Sequence, residues 1–145
     1  MNAGQYLTFR LNENFYGINI RSVKEIKHMQ PISALPDVPP YMVGVINLRD
    51  RIIPIMDLRI RLGISDTSYT KDTCFIVVEH ESKQLGLIVD AVKTVTDFAQ
   101  NQIEESLQDE GFVRGIGKLD DSLIMLIDTK NFFQMDWNQR SKTAA

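Results

Sequence analysis

The chain is poor in the side chains that do covalent and metal chemistry. Its 145 residues include one cysteine and two histidines. A lone cysteine cannot close an internal disulfide, which points to a reducing compartment. Cys74 lies in the apolar run Cys74-Phe75-Ile76-Val77-Val78 and reads as a buried small hydrophobe, not a reactive thiol. His28 and His80 stand apart, and no His or Cys pair has metal-ligand spacing. Gly115-Ile116-Gly117 offers two glycines with no helix-like segment behind them, too little for a phosphate cradle. No serine occupies a nucleophile-elbow context. A non-catalytic protein without cofactor or metal is expected.

Long apolar runs are missing too. Nothing approaches the roughly 20 residues of a bilayer-spanning helix. Met1-Asn2-Ala3-Gly4-Gln5 has neither the basic region nor the apolar stretch of a signal peptide. The expected location is the cytoplasm, with membrane association only through a partner. Positive charge is not in excess: 16 Lys and Arg face 19 Asp and Glu, for a net charge of −3. The densest basic run, Arg49, Arg51, Arg59 and Arg61, is interrupted by Asp50 and Asp57. That balance argues against nucleic acid as a partner. A nucleic-acid-binding small barrel is the rival from another class.

What the sequence does have is strand texture. Leu7, Phe9 and Leu11 alternate with Tyr6, Thr8 and Arg10, and the alternation resumes at Tyr16, Ile18 and Ile20 after Asn12-Glu13-Asn14. Residues 6–20 therefore read as a hairpin. Further strands are expected near 23–28, 43–48, 51–56, 73–80, 84–89, 92–98, 112–117 and 122–127. Pro31, Pro36, Pro39 and Pro40 mark a stiff loop over about 30–41. Pro54, inside Ile52-Ile53-Pro54-Ile55-Met56, predicts an edge strand or a bulge. Short helices are expected after Asp57 and from Asp128 to about Trp137, with a solvated tail behind.

The chain also repeats itself. Tyr16-Gly17-Ile18 through Val23-Lys24-Glu25-Ile26 matches Leu85-Gly86-Leu87 through Val92-Lys93-Thr94-Val95, with Gly86 against Gly17 (86 − 17 = 69). Ile53, Ile55 and Asp57 match Ile124, Leu126 and Asp128 (128 − 57 = 71). Two copies are too few for a solenoid. Each half, with about five short strands and Gly and Pro turns, suits a small closed barrel.

Three sets of residues invite a functional reading. Asp57 and Asp128 hold equivalent positions and would suit an acid–base pair in a small hydrolase, but each also begins a turn or helix, where Asp caps well. Capping is the expectation. Asn47-Leu48-Arg49-Asp50-Arg51 joins two strands, and Glu25 offers Arg49 an opposite charge if the sheet brings them together. Val23, Ile26, Val92 and Val95 hold matched positions, either as core or as the lining of an apolar groove that takes a helix.

These residues resemble a known family. Tyr6-Leu7-Thr8-Phe9, Tyr16-Gly17-Ile18 and Val23-Lys24-Glu25-Ile26 are similar to the opening of CheW-like domains. Leu35-Pro36, Gly44-Val45-Ile46-Asn47-Leu48-Arg49 and Ile52 through Arg59 resemble the family's most distinctive block. Leu85 through Asp90 and Val113 through Gly117 fit its second half. The resemblance covers about residues 5–135. It implies an all-β fold: two intertwined, five-stranded, SH3-like barrel subdomains related by duplication. Their expected limits are about 15–65 and 75–125, with the chain ends exchanged or packed at a shared core and a tail at 136–145. It also implies a chemotaxis adaptor that binds the cytoplasmic tip of a methyl-accepting chemoreceptor and the regulatory domain of the histidine kinase CheA. An accessory adaptor of a pilus-motility or other chemosensory pathway is the variant reading. Carried over by position, Val23, Glu25, Ile26, Gly44, Asn47, Arg49, Val92 and Val95 match places associated with partner contacts. One departure stands out. The family has glycine after Asn-Leu-Arg, which suits positive φ, and this chain has Asp50.

Overall fold

A computed structural model describes residues 2–105 and 111–133. Eleven strands run in chain order among the described residues: β1 (Gly4–Leu11), β2 (Asn14–Asn19), β3 (Val23–His28), β4 (Met42–Leu48), β5 (Arg51–Asp57), β6 (Cys74–His80), β7 (Lys83–Val89), β8 (Ala91–Phe98), β9 (Ile103–Glu105), β10 (Val113–Leu119) and β11 (Ser122–Ile127). Two single-turn helices follow the last strand of each half, α1 (Leu58–Arg61) and α2 (Lys130–Phe133). The rest of the helix expected up to Trp137, and the tail at 136–145, lie outside the described residues.

The strands form two sheets, ordered β8-β1-β2-β11-β10-β9 and β3-β6-β7-β5-β4. The first contains a sixth strand, the three-residue β9, which is too short to show any periodicity in the sequence. Each sheet combines the opening hairpin of one half with the last three long strands of the other. Parallel contacts join them: β2 with β11, and β7 with β5. Two irregularities recur at matched places. The β4–β5 ladder slips between Met42 and Gly44, and the β10–β11 ladder slips between Val113 and Gly115.

β6 explains why some strands read as unbroken apolar runs. Ile76 and Val78 face a core shared with Leu7, Phe9, Leu11 and Ile18 of the other sheet. Phe75 and Val77 turn the other way, onto Ile46, Ile53, Ile55 and Ile88 within their own sheet. The six-stranded sheet has its own inner cluster around Tyr6, Phe98, Ile124 and Leu126. A strand buried on both faces loses its polar alternation. Two glycines let the parallel strands close up. A Cβ on Gly86 would stand 2.5 Å from Ile55 Cδ1, and one on Gly17 would stand 3.0 Å from Leu126 Cδ2.

Pro54 corrects one expectation. β5 is an interior strand, not an edge. The β7 ladder begins only at Ile55, so at Pro54 the strand is paired with β4 alone. One vacant side leaves room for the missing N–H.

Candidate protein-binding site

The β4–β5 hairpin turns through two residues, since Leu48 pairs with Arg51. Arg49 has φ 50° and Asp50 has φ 65°. Two consecutive positive φ values give the turn the twist that suits a two-residue hairpin. Asp50 therefore adopts the conformation for which glycine is better suited. The turn sends Arg49 outward, with its side chain 71% exposed. Its Nη1 donates to Glu25 Oε2 and its Nη2 to Glu25 Oε1, both at 2.8 Å. The hydrogen bonds from Arg49 hold the Glu25 carboxyl below its ordinary range.

Glu25 lies on β3 and Arg49 follows β4, the two edges of the five-stranded sheet. An edge-to-edge contact means that the sheet curls round on itself. The proline-rich loop completes the closure. Ser33 exchanges two 2.9 Å backbone hydrogen bonds with Val45 on β4. Gly44 makes this possible, because a Cβ there would fall on the Ser33 carbonyl oxygen. Duplication does not account for the ion pair. The counterparts of Glu25 and Arg49 at the repeat offsets are Thr94 and Asp120, which cannot form it.

The apolar candidates divide in two. Val23 and Val92 are half-buried and pack against the shared core. Ile26 and Val95 point outward, each 45% exposed. Ile26 and Val92 line one surface groove of about 330 Å³ between β3 and β8, with Lys27, Lys71 and Lys93 also in its wall. The structure thus brings together Glu25 with Arg49, and Ile26 with Val92. Val23, Val95, Gly44 and Asn47 lie outside that groove's lining. Asn47 is exposed on the edge strand β4.

Asp57 and Asp128 are caps. Asp57 Oδ1 accepts from the Arg59 backbone N–H at 3.0 Å, and Asp128 Oδ1 accepts from that of Lys130 at 3.0 Å. Asp57 ends β5 of one sheet and Asp128 follows β11 of the other, and each carboxylate is engaged as a cap. Sequence reasoning missed what Asp57 holds. Arg59 is fully buried. Its Nε and Nη2 donate to Asp57 at 3.0 and 2.9 Å. Its Nη1 donates to Asp90 Oδ1 at 2.9 Å and to the Ser68 carbonyl at 2.7 Å. Asp90 Oδ2 in turn accepts from the Asn12 backbone N–H at 2.6 Å, tying the β1–β2 turn to the cluster. The available signal was Asp57 two residues before Arg59. Among the described residues no group of three or more His, Cys, Asp or Glu is placed to hold a metal, and no helix is long and apolar enough to cross a membrane.

Comparison with known proteins places this geometry. The model of the CheW-like domain matches residues 5–136. The probable chemotaxis protein CheW of Rhizobium etli is 39% identical over 134 residues, which span 89% of this chain and 86% of that protein. The chemotaxis protein CheW of Bacillus subtilis is 31% identical over 138 residues, spanning 92% and 88%. The crystal structure of the scaffolding protein TtCheW from Thermoanaerobacter tengcongensis superposes with a TM-score of 0.80 at 39% identity, covering 86% of this chain and 88% of that one.

Proposed function

The chain belongs to the CheW-like domain family, and from that premise we propose that it is a chemotaxis scaffold which holds a chemoreceptor tip and the regulatory domain of CheA together. It works by association, not by catalysis. The observation that carries the reading is the β3–β8 groove, where Ile26 and Val92 from the two repeat copies meet. Its lining sets Ile26 and Val92 among Lys27, Lys71 and Lys93, with Asp72 as the one acid, which suits a helix whose apolar stripe is flanked mainly by acidic residues. The Glu25–Arg49 pair is the second contact point. Partly exposed pairs of this kind orient a partner more than they stabilise the fold. In this reading the two halves, near 15–65 and 75–125 with exchanged ends, present separate faces to separate partners. The membrane is reached only through the receptor.

A signal passes if the scaffold binds two receptor–kinase states with different affinity, since equal affinity shifts nothing. The test is co-purification of the full chain with a receptor signalling tip and with the CheA regulatory domain. Ile26→Asp is expected to lose the receptor tip while remaining folded, because Ile26 is exposed. Arg49→Glu is expected to lose one of the two partners. Retention of both partners by both variants rejects the site.

A further inference from the structure

The linker between the two halves touches both the buried Arg59 cluster and the β3–β8 groove. Lys71 and Asp72 belong to the groove's lining, together with Ala91, Val92 and Lys93 of β8. A few residues earlier, Ser68 and Tyr69 lie against Arg59. The Arg59 Nη1 donates to the Ser68 carbonyl at 2.7 Å and to Asp90 Oδ1 at 2.9 Å. Asp90 directly precedes Ala91. One guanidinium nitrogen therefore holds the roots of two groove walls, the linker's and that of β8.

The tie is stiff. Nε and Nη2 are both bonded to Asp57, at 3.0 and 2.9 Å, which fixes the plane of the guanidinium. The Tyr69 ring covers it from outside, with its centroid 5.3 Å away. Local hydrogen bonds carry the position of Ser68 along the linker. Asp66 Oδ1 accepts from the Ser68 backbone N–H at 3.1 Å and from its hydroxyl at 2.7 Å. Thr73 Oγ1 accepts from the Thr70 N–H at 2.8 Å, and Thr70 Oγ1 accepts from the Asp72 N–H at 3.2 Å. Duplication does not account for the tie, because the positions equivalent to Arg59 and Asp90 hold Lys130 and Arg21, two cations. A buried ion pair often adds little stability over apolar packing of the same volume. What this one adds is a fixed spacing between two segments of the chain.

We propose that Arg59 is a positioning residue for the groove. By holding Ser68 and Asp90 on one nitrogen it sets where Lys71 stands relative to β8, and so where a bound helix must carry an acidic side chain. This assignment rests on the reading of the groove as the receptor site.

Arg59→Met disturbs the whole fold, so the linker is better loosened from its exposed side. Asp66→Ala removes the clasp on Ser68, Tyr69→Ala uncovers Arg59, and Tyr69→Phe keeps the ring. Neither Asp66 nor Tyr69 lines the groove. In the free full-length chain, Asp66→Ala and Tyr69→Ala are expected to speed amide exchange at Thr70 and Asp72, and Tyr69→Phe to leave it unchanged. Calorimetric titration with a receptor signalling tip is the second measurement. Lys71→Gln, Asp66→Ala and Tyr69→Ala are each expected to bind about fivefold more weakly, the size of one partly exposed charge contact, with Tm little changed. Tyr69→Phe is expected to bind like the parent. Asp66→Ala combined with Lys71→Gln is expected to bind no more weakly than Lys71→Gln alone, because the linker acts through Lys71. Additive losses, unaltered exchange at Thr70 and Asp72, or full-strength binding by Asp66→Ala and Tyr69→Ala beside a weakened Lys71→Gln overturns the assignment of Arg59 and leaves the groove standing. Full-strength binding by Ile26→Asp rejects the groove itself, and the assignment with it.

Discussion

Glu25 and Arg49 belong to opposite edges of one five-stranded sheet, yet their side chains meet through two hydrogen bonds of 2.8 Å. The pair closes the sheet's outer surface, while Ser33 and Val45 close its backbone. Arg49 stays exposed in the process.

The first prediction concerns that pair. A group with a depressed carboxyl pKa contributes above the unfolded carboxylate range and loses that contribution as pH falls through its folded value. Glu25 is such a group. Arg49→Gln is expected to return the Glu25 titration, followed by carboxyl 13C NMR, towards its ordinary value. Thermal stability at neutral pH is expected to change little, because exposed pairs contribute little.

The buried cluster behaves differently. Arg59→Met leaves Asp57 and Asp90 without their cation, and loss of one partner from a buried pair costs about 3–5 kcal/mol. Urea unfolding is expected to show that loss. Adding Asp57→Asn to Arg59→Met is expected to recover part of it, because the stranded charge is then removed.

Asp50→Gly is expected to stabilise the chain by about 0.5–1 kcal/mol, since glycine reaches φ 65° without Cβ strain. The urea midpoint is the measurement. A fall in stability would show that the Asp50 side chain supports the turn.

Gly44→Ala is expected to cost about 2–3 kcal/mol, because the new methyl meets the Ser33 carbonyl and must push the loop away from β4. Amide exchange at Ser33 and Val45 is expected to accelerate before exchange elsewhere does.

Burial pushes the Cys74 thiol up, so little thiolate is present near neutral pH. Alkylation by iodoacetamide is expected to be slow in the folded protein and fast in urea. A rapid native reaction would contradict the burial.

Most long strands could be located from the sequence, because burial of one or both faces leaves a pattern. β3 and β11 coincide with the strands expected at 23–28 and 122–127. The exchange of hairpins between sheets was harder to see. A repeat has the same order of elements whether its strands pair within a copy or across copies. Arg59 was missed because arginine ordinarily marks a surface, and its second carboxylate, Asp90, lies in another half of the chain. The attraction between Glu25 and Arg49 was readable as opposite charge. Their meeting depended on sheet curvature, which no local stretch encodes.

The crossing of hairpins between sheets sets the timing of folding during synthesis. β1 and β2 are made before the other described strands, but their neighbours β8 and β11 come from the second half of the repeat. Until β8 and β11 have both emerged, the opening hairpin lacks a neighbour on at least one side. Contacts this distant in sequence slow the search for the native state. Emergence of β11, not the exit of each half, is therefore the event that commits the fold to its final shape.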